Sequence, residues 1–339
     1  MSDRPRVYVA YTGGTIGMHP TDSGYRPKPG ALLEQLEQMP ELQHPKMPVI
    51  DVVEYVPLLD SSDMGPSDWV RIATDVVRRH DDYDGFVVLH GTDTLAYTAS
   101  ALSFQLRGLR KPVVVTGSQV PLVELRNDAR ENLVNALLIA GTSDIPEVLV
   151  SFGARLLRGN RAVKVSSDGF DAFESPNYPD LGRLGTHVEI RRELIRPPDD
   201  HALALEEVGH AKVGALRLFP GIDADVLTNV LQPPLKGLVL ECYGVGNAPV
   251  KDERLLDALA DATARGVVIV DVSQCLEGRV VLDDYANTRA LRDAGVISGF
   301  DMTAEAALTK LYFLFERGVP DARVRELCQE DLRGELTPR

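Results

Sequence analysis

Three segments of this sequence place a hydroxyl side chain in a polar turn, and a strand-like run comes directly before each turn. The hydroxyls belong to Thr15, Ser61 and Thr92, and Asp93 follows the last of them at once. A hydroxyl attacks a carbonyl carbon only when a neighbouring group removes or shares its proton, and Asp93 is suited to that role. The amine of Lys164 would complete a threonine–carboxylate–amine relay. These residue types therefore point to nucleophilic catalysis as one hypothesis.

The turn around Thr15 has the sequence Thr-Gly-Gly-Thr-Ile-Gly, and it allows three interpretations. Paired glycines permit a tight turn and a close approach of the backbone to a ligand. A dinucleotide-binding loop is excluded, because the G-x-G-x-x-G pattern needs a glycine where Thr15 stands. An ordinary structural turn and a nucleophilic threonine both remain. Taken alone, Lys164 could be a solvated surface lysine, and Thr92 could cap the helix that follows it.

Other common catalytic and metal-binding patterns do not occur in the sequence. It contains no G-x-S-x-G elbow, no H-E-x-x-H pair and no Walker loop. Its seven histidines are scattered without the spacing of metal ligands, so we predict no metal site. His90 ends a strand-like run beside Thr92, and we expect it to be a hydrogen-bonded structural residue.

Charge and composition narrow the range of partners. The 339 residues include 50 acidic residues and 36 Lys and Arg, for a formal net charge of −14 at pH 7. Nucleic acids and anionic membranes would repel such a surface, so we expect neither as a partner. No apolar stretch is long enough to cross a bilayer, and the first residues lack the apolar segment of a signal peptide. With three well-separated cysteines and no disulfide framework, we expect a cytoplasmic protein.

The hydrophobic pattern predicts an α/β fold around a mostly parallel, doubly wound sheet. Apolar and β-branched runs alternate with polar loops and helical patterns. The predicted strands cover residues 7–11, 49–56, 85–89, 113–115 and 147–152, and the main helices start at residue 66 or cover 95–106 and 129–140. Residues 19–30 are rich in proline and glycine, and we expect a mobile loop without regular structure there. The hydroxyls lie at carboxyl ends of strands, where such sheets bind ligands.

The chain is longer than a single hydrophobic core usually supports, so two domains are expected. A larger N-terminal domain is predicted over residues 1–185, followed by a linker over 186–209. A smaller C-terminal α/β domain is predicted over 210–339. Its strands and last long helix are expected at 213–218, 237–240, 267–272 and 304–317.

Two of the turns together resemble the paired signatures of bacterial-type L-asparaginases. They are Thr12-Gly13-Gly14-Thr15-Ile16 and His90-Gly91-Thr92-Asp93-Thr94. The similarity runs over nearly the whole chain and includes Asp60-Ser61-Ser62-Asp63-Met64, Tyr243-Gly244-Val245-Gly246-Asn247-Ala248-Pro249 and Leu332-Arg333-Gly334-Glu335-Leu336. The joint order and spacing of these stretches make the resemblance specific. It is strongest to the cytosolic type I branch.

The resemblance implies a hydrolase that converts L-asparagine to L-aspartate and ammonia with neither metal nor cofactor. By matching position, Thr15 is the nucleophile that forms a β-aspartyl ester, and Tyr25 closes over the site and supports it. Thr92, Asp93 and Lys164 form a second triad. The positions that match substrate-binding residues are Gly14, Asp60, Ser61, Ser62, Thr92 and Asp93. A zwitterionic amino acid needs an anion for its ammonium group and hydroxyl or backbone donors for its carboxylate.

The resemblance also implies self-association as a dimer or tetramer. In such an assembly Gly246 and Asn247 of one subunit would approach the substrate of its neighbour. Some cytosolic relatives bind a second asparagine as an effector, with a basic residue at the position of Glu241. Here Glu241 would repel the carboxylate of the effector, although Cys275 matches the other side of that site.

Two other kinds of function are compatible with the same sequence. A glutaminase, or the amidase part of a tRNA amidotransferase, would keep the fold and change the substrate. The amidase part of a tRNA amidotransferase usually needs a region that contacts tRNA and a surface that does not repel this polyanion. The negative net charge of this chain disfavours that function. A non-catalytic amino-acid sensor would keep the pocket but could dispense with Thr92, Asp93 and Lys164, and all three are present.

Overall fold

The structure is a computed structural model that describes residues 4–22 and 24–338. The chain divides into two compact units, Met1–Glu206 and Glu207–Arg339. The larger unit contains a mostly parallel sheet and the smaller unit a parallel sheet, each with helices. The predicted two-domain α/β fold class is therefore confirmed.

The first unit has fourteen strands and four α-helices in its described part. The strands are β1 (Arg6–Gly13), β2 (Met18–Thr21), β3 (Gly24–Pro27), β4 (Val49–Leu59), β5 (Gly85–Leu89), β6 (Leu106–Arg107), β7 (Val113–Thr116), β8 (Val148–Phe152), β9 (Arg155–Arg158), β10 (Val163–Lys164), β11 (Phe173–Glu174), β12 (Gly182–Leu184), β13 (Val188–Ile190) and β14 (Ala204–Leu205). The helices are α1 (Ala31–Glu37), α2 (Pro66–Arg79), α3 (Leu95–Gln105) and α4 (Ala129–Thr142). Short 3₁₀ turns cover Thr15–Gly17, Pro40–Gln43, His80–Asp82, Gly159–Arg161 and Arg192–Leu194.

Eight strands of this unit form one sheet in the order β13-β12-β9-β8-β7-β5-β1-β4. Strands β4, β1, β5, β7 and β8 run parallel, and β9, β12 and β13 pair antiparallel with their neighbours. Val9 in β1, for example, lies between Val52 of β4 and Val87 of β5. The carboxyl ends of β4, β1, β5 and β7 therefore lie side by side along one edge of the sheet.

Helices cover both faces of this sheet because successive strand residues point to opposite faces. Val7 and Val9 of β1 belong to one apolar cluster, together with residues of α1 and α4. Tyr8 and Ala10 belong to a second cluster, together with residues of α2 and α3. Buried β-branched strands and helices on both sides are the features of a doubly wound sheet.

The segment that was expected to be an irregular loop contains a hairpin instead. Strands β2 and β3 pair antiparallel, with Met18 opposite Pro27 and Thr21 opposite Gly24. The expectation of no regular structure was wrong because each proline removes only one backbone hydrogen-bond donor. A two-stranded ribbon leaves outward-facing N–H positions unpaired, so proline is tolerated there. The Thr21 hydroxyl also donates to the Gly24 carbonyl oxygen at 2.5 Å, which closes the turn.

The segment interpreted as a linker contains regular structure. Within residues 186–209, β13 pairs with β12 at the edge of the large sheet, and β14 pairs with β6. Both strands belong to the first compact unit, which extends to Glu206. The short lengths of these strands explain why a proline- and charge-rich sequence did not reveal them.

The second unit is a smaller α/β sandwich with a sheet in the order β15-β16-β17-β18. All three strand pairs are parallel. The strands are β15 (Val213–Arg217), β16 (Gly237–Cys242), β17 (Val268–Ser273) and β18 (Ile297–Ser298), and the helices are α5 (Ala224–Val230), α6 (Glu253–Ala264), α7 (Ala286–Asp293), α8 (Ala304–Glu316) and α9 (Asp321–Cys328). No helix in residues 4–22 and 24–338 has both the length and the apolar character that a membrane crossing requires.

A fully buried ion pair fixes the C-terminal segment of the second unit. Lys310 of α8 pairs with Glu335, and neither side chain is exposed to solvent. The Lys310 ammonium also donates to the carbonyl oxygens of Cys328 and Glu330, at 3.1 and 2.6 Å. The Glu335 carboxylate accepts the Arg333 N–H at 2.6 Å. A buried ion pair is tolerated only when its remaining polar positions are satisfied, and these additional hydrogen bonds help to satisfy them.

His90 lies at the end of β5 and is completely buried. Its Nδ1 lies 2.7 Å from the Gly91 carbonyl oxygen, and its Nε2 lies 2.8 Å from the Thr98 hydroxyl. A carbonyl oxygen can only accept, so Nδ1 carries the proton and Nε2 accepts from Thr98. Burial lowers the pKa of His90 to about 4. The expectation of a hydrogen-bonded structural histidine is confirmed.

This buried histidine should make the fold sensitive to acid. Between pH 6.5 and 4 the unfolded chain binds a proton that the folded chain does not, so the free energy of unfolding falls as the pH is lowered. The expected loss from His90 is about 3 kcal/mol across that window. Urea unfolding of the wild type and His90→Gln at several pH values measures it, and the stability difference between the two proteins should shrink toward pH 4.

The matched control is His187→Gln, since His187 is exposed. It makes the same change of residue type at a position that is not buried. If the wild type and His90→Gln lose stability in parallel on acidification, His90 does not make this contribution.

Candidate active site

The turns that follow β1, β4 and β5 are in direct contact. A Cβ atom added at Gly14 would lie 2.4 Å from the Gly91 backbone nitrogen, and one added at Gly91 would lie 2.4 Å from the Ser61 hydroxyl oxygen. Both distances are far inside van der Waals contact. Backbone atoms are the obstacle at Gly14, so only glycine fits there, whereas a larger residue at Gly91 would require the Ser61 side chain to move. The close packing brings the predicted residues of three strand ends into one region.

Thr15 begins the 3₁₀ turn that follows β1. Gly14 just before it has φ 90°, a left-handed conformation that favours glycine. The Ile16 carbonyl oxygen accepts the Leu122 N–H at 3.1 Å, which fixes the turn from the outside. Within the described chain, the Thr15 hydroxyl has no hydrogen-bond partner, so it is available to a ligand.

The neighbouring Thr12 has a different environment. Its side chain is buried, and its hydroxyl donates to the Leu89 carbonyl oxygen at 2.9 Å. This bond ties the end of β1 to the end of β5. Of the two hydroxyls that flank the paired glycines, Thr12 therefore has a structural partner and Thr15 does not.

Thr92, Asp93 and Lys164 form one hydrogen-bonded group. The Lys164 ammonium donates to the Thr92 hydroxyl oxygen at 2.9 Å and to the Asp93 carboxylate at 2.8 Å. The side chain of Asp93 is 67% exposed and that of Lys164 is 19% exposed. Lys164 is therefore paired and mostly enclosed, and the sequence could not distinguish this from a solvated lysine.

A short hairpin positions Lys164. It lies in β10, which pairs antiparallel with β11 so that Lys164 is opposite Phe173. Phe173 is buried, and its ring centroid lies 4.9 Å from that of Phe152 at the end of β8. This apolar contact anchors the hairpin to the large sheet.

The predicted substrate-binding residues after β4 form a turn of their own. The Asp60 Oδ1 atom accepts both the N–H and the hydroxyl of Ser62, each at 2.9 Å. Ser61 is buried, and its carbonyl oxygen accepts the Thr94 hydroxyl at 2.6 Å. In the part of the chain that the structure describes, Asp60 Oδ2 accepts no hydrogen bond. The turn thus offers an exposed carboxylate oxygen beside two serine hydroxyls.

Tyr25 lies on β3 of the exposed hairpin, and 49% of it is exposed. Its hydroxyl donates to Glu124 Oε1 at 2.7 Å, and this hydrogen bond raises the pKa of Tyr25. Glu124 belongs to the segment after β7, which the Asn127 side chain stabilises by donating to the Glu124 carbonyl oxygen at 2.6 Å. Sequence reasoning missed Glu124, because no local pattern relates two residues that are 99 positions apart.

Gln119 is a second residue near Thr92 that sequence reasoning did not identify as functional. The Thr92 hydroxyl donates to Gln119 Oε1 at 3.1 Å. Gln119 follows β7 in the same way that Thr15 and Ser61 follow their strands, and this position at a strand end is the one signal that could have indicated it.

Gly246 and Asn247 lie in a tight turn of the second unit. The N–H of Asn247 donates to the Tyr243 carbonyl oxygen at 2.7 Å, and Gly246 has φ 105°. A Cβ added at Gly246 would lie 2.7 Å from Asp271 Oδ2, so a larger residue does not fit. Among the residues that the structure describes, the Asn247 side chain makes no hydrogen bond, which leaves its amide available to a partner.

Two further expectations from the sequence concern metal ions and an effector site around Glu241. No group of three or more His, Cys, Asp and Glu residues in the described ranges could hold a metal ion. Glu241 accepts a hydrogen bond from Arg217 at 3.1 Å, and Cys275 is exposed. Arg217 therefore partly offsets the charge of Glu241.

Comparisons with known proteins cover both units. Residues 6–196 match the family model for Asparaginase, N-terminal, and residues 212–327 match that for the Glutaminase/Asparaginase C-terminal domain. The chain is 51% identical over 335 residues to L-asparaginase 1 of Escherichia coli (strain K12), with 98% of each chain covered. It is 37% identical over 333 residues to L-asparaginase of Thermococcus kodakarensis, with 98% of this chain and 99% of the relative covered.

A solved structure is similar over the same extent. The structure of L-asparaginase I from Vibrio cholerae O1 biovar eltor str. N16961 superimposes with a TM-score of 0.92 at 47% sequence identity. The match covers 98% of this chain and 99% of that one. The resemblance found in the sequence motifs is confirmed.

Proposed function

The chain belongs to the asparaginase family, and we propose that it hydrolyses L-asparagine to L-aspartate and ammonia through a threonine nucleophile. The observation that supports this mechanism best is the group in which Lys164 bonds to both Thr92 and Asp93. The strand that ends at this group is adjacent to the strand that ends at Thr15. A protein that only bound an amino acid would not need such a relay.

The turn after β4 supplies the charges that a zwitterionic amino acid requires. The Asp60 carboxylate would hold the ammonium group of the substrate, since Oδ2 is unused by the described chain. The Ser61 hydroxyl would donate to its carboxylate, and the Gly14 backbone lies beside it. The Ser62 hydroxyl donates to Asp60 Oδ1 in the structure, so it would have to turn away from Asp60 to donate to the substrate as well. With both charged groups held, the side-chain amide of L-asparagine would point toward Thr15 and Thr92.

In the first step the Thr15 hydroxyl oxygen would attack the amide carbon of the substrate. The new C–O bond forms an aspartyl ester, the C–N bond breaks, and ammonia leaves with the proton lost by Thr15. Water then attacks the ester, the C–O bond to Thr15 breaks, and Thr15 regains a proton as L-aspartate leaves. No metal or cofactor takes part in this proposal.

The second triad would control the hydroxyl of Thr92. The Lys164 ammonium donates to the Thr92 oxygen, and Asp93 holds Lys164 in place through the ion pair. This arrangement would let Thr92 share a proton with the attacking hydroxyl or water. Tyr25, held by Glu124, would close over Thr15 from the exposed hairpin.

Thr15→Val tests the nucleophile, because valine keeps the shape of the side chain and removes the attacking oxygen. We expect ammonia release from L-asparagine to fall at least about a thousandfold. Wild-type enzyme should release ammonia from L-asparagine faster than from L-glutamine or D-asparagine in parallel assays. Mass spectrometry of wild-type enzyme quenched during turnover should find an aspartyl adduct on a peptide that contains Thr15.

Thr15→Ser is the matched control, because it keeps a hydroxyl at the same position and should retain measurable activity. Tyr25→Phe, which removes only the hydroxyl of the hairpin residue, should give an intermediate loss. An unchanged kcat in Thr15→Val would contradict the covalent mechanism.

Asp93→Asn and Lys164→Met test the relay. Each variant should lose at least about a hundredfold in kcat, as the removal of a general base or its partner usually does. Because the residues act as one group, the double variant should be hardly worse than either single variant. The exposed Lys46 provides a control, and Lys46→Met should leave kcat unchanged. Additive losses in the double variant would exclude a connected triad.

We further propose that the chain forms a dimer or tetramer in which Asn247 approaches a neighbouring subunit's substrate. Its unused side-chain amide, held in a tight strand-end turn, supports this proposal. Sedimentation should show at least a dimer. Mixing inactive Thr15→Val subunits with inactive Asn247→Ala subunits should restore activity, because some sites would combine two intact halves. A fully active monomer would refute shared sites.

A further inference from the structure

The segment that follows β7, defined here as the β7 loop (residues 117–128), is packed tightly against the turn that contains Thr92. A Cβ added at Gly117 would lie 2.2 Å from the His90 carbonyl oxygen. At the other end of the loop, the Asp128 carboxylate accepts the backbone N–H groups of Gln119 and Val120 at 3.0–3.1 Å. The backbone at Gln119 is therefore fixed from both sides.

The side-chain amide of Gln119 has only one orientation that satisfies its partners. Its Nε2 atom lies 3.3 Å from the Ser166 carbonyl oxygen and 3.2 Å from the Gly169 carbonyl oxygen. Carbonyl oxygens accept but cannot donate, so the NH₂ end must face them. The Oε1 end then faces Thr92, whose hydroxyl oxygen is 3.1 Å away.

This orientation determines which way the Thr92 proton points. A threonine hydroxyl has one proton to donate and two lone pairs to accept with. Lys164 has only protons to offer and occupies one lone pair at 2.9 Å. The proton must therefore go to the acceptor, Gln119 Oε1, and one lone pair of Thr92 is left.

We infer that Gln119 is a positioning residue, which orients the Thr92 hydroxyl so that its remaining lone pair can accept a hydrogen bond from the substrate side. Without Gln119 the Thr92 proton would have no fixed acceptor and could turn toward that side. The same residue ties the segment after Lys164 to the β7 loop, through Ser166 and Gly169. The inference rests on the proposed hydrolysis of L-asparagine for its kinetic test.

The variants Gln119→Met and Gln119→Glu distinguish two effects of Gln119. One is the orientation of the Thr92 hydroxyl, and the other is the link between the β7 loop and the segment after Lys164. Methionine has about the same length but accepts no hydrogen bond of this kind, whereas glutamate keeps an acceptor for Thr92 and loses the NH₂ group. We expect Gln119→Met to lower kcat about 10- to 100-fold, the effect of one lost hydrogen bond, with less than about a threefold change in KM. Gln119→Glu should retain more kcat than Gln119→Met. Equal losses would mean that only the tether matters, and would overturn the inference.

The same substitution made in a Thr92→Val variant shows whether Gln119 acts through Thr92. In Thr92→Val there is no hydroxyl to orient, so adding Gln119→Met should lower the residual kcat no further. A further loss equal to that seen in the wild-type background would overturn the inference. Gln329→Met, at an exposed glutamine, is the matched control and should behave as wild type.

Failure of the inference about Gln119 can be distinguished from failure of the proposed function. Wild-type ammonia release from L-asparagine tests the function alone. A neutron structure of the wild type and of Gln119→Met tests the orientation without any activity: the deuteron on the Thr92 oxygen should point at Gln119 Oε1 in the wild type and should leave that direction in the variant. If the deuteron keeps the same direction in both proteins, Gln119 does not position it.

Discussion

The candidate site depends on how closely two backbone turns approach each other. Strands β1 and β5 are parallel neighbours, and the turns that follow them meet at Gly14 and Gly91. Any side chain at either glycine would overlap the opposite backbone or the Ser61 hydroxyl. A side chain at Gly14 would meet backbone, so the turns would have to separate, and with them Thr15 and the group around Thr92. The close approach is possible because parallel neighbouring strands end at the same edge of the sheet.

The threonines of this region are divided between structural and chemical roles by their hydrogen-bond partners. Thr12 donates to the end of β5, Thr94 to the turn after β4 and Thr98 to His90. Each of these bonds joins neighbouring elements, and it occupies the one proton that the hydroxyl can donate. The Thr15 hydroxyl has no hydrogen-bond partner among the described residues, and the Thr92 hydroxyl is bonded there only to side chains that can orient it. A hydroxyl that is free or precisely oriented is the kind that a nucleophilic mechanism needs.

Much of the fold follows from the sequence, because buried parallel strands are nearly continuous apolar runs. The strand predicted over residues 85–89 is observed as Gly85–Leu89, and the helix predicted over 95–106 as Leu95–Gln105. The hairpin of β2 and β3 was missed, because its prolines occupy positions where a backbone donor is not needed. The rule that proline interrupts a strand applies to central strands, which are hydrogen-bonded on both sides. It does not apply to the exposed two-stranded hairpin of β2 and β3.

Site residues that are adjacent in the sequence could be predicted. Site residues that depend on contacts between distant segments could not. The adjacent Thr92 and Asp93 could be found from the local sequence. Lys164 was proposed as the amine of the relay, but the sequence alone did not distinguish it from a solvated surface lysine. Gln119 and Glu124 reach their partners across 27 and 99 positions, and nothing in the local sequence indicates those contacts. Both lie in the β7 loop, whose conformation is set by the Asp128 and Asn127 side chains within it.

Charge and exposure to solvent both increase from the interior of the sheet to its edge. His90 lies deepest, and burial keeps its pKa well below neutrality, so it contributes hydrogen bonds without charge. Thr92 comes next, neutral and mostly buried. The charged pair of Asp93 and Lys164 lies outermost, where solvent reaches the carboxylate. Burying an unpaired charge as deeply as His90 would be strongly unfavourable. Burying a hydroxyl group there is not, provided that the hydroxyl is hydrogen-bonded. Thr92 therefore lies at the boundary where an ammonium can polarise a hydroxyl without the cost of full burial. That position follows from its place at the end of a buried strand.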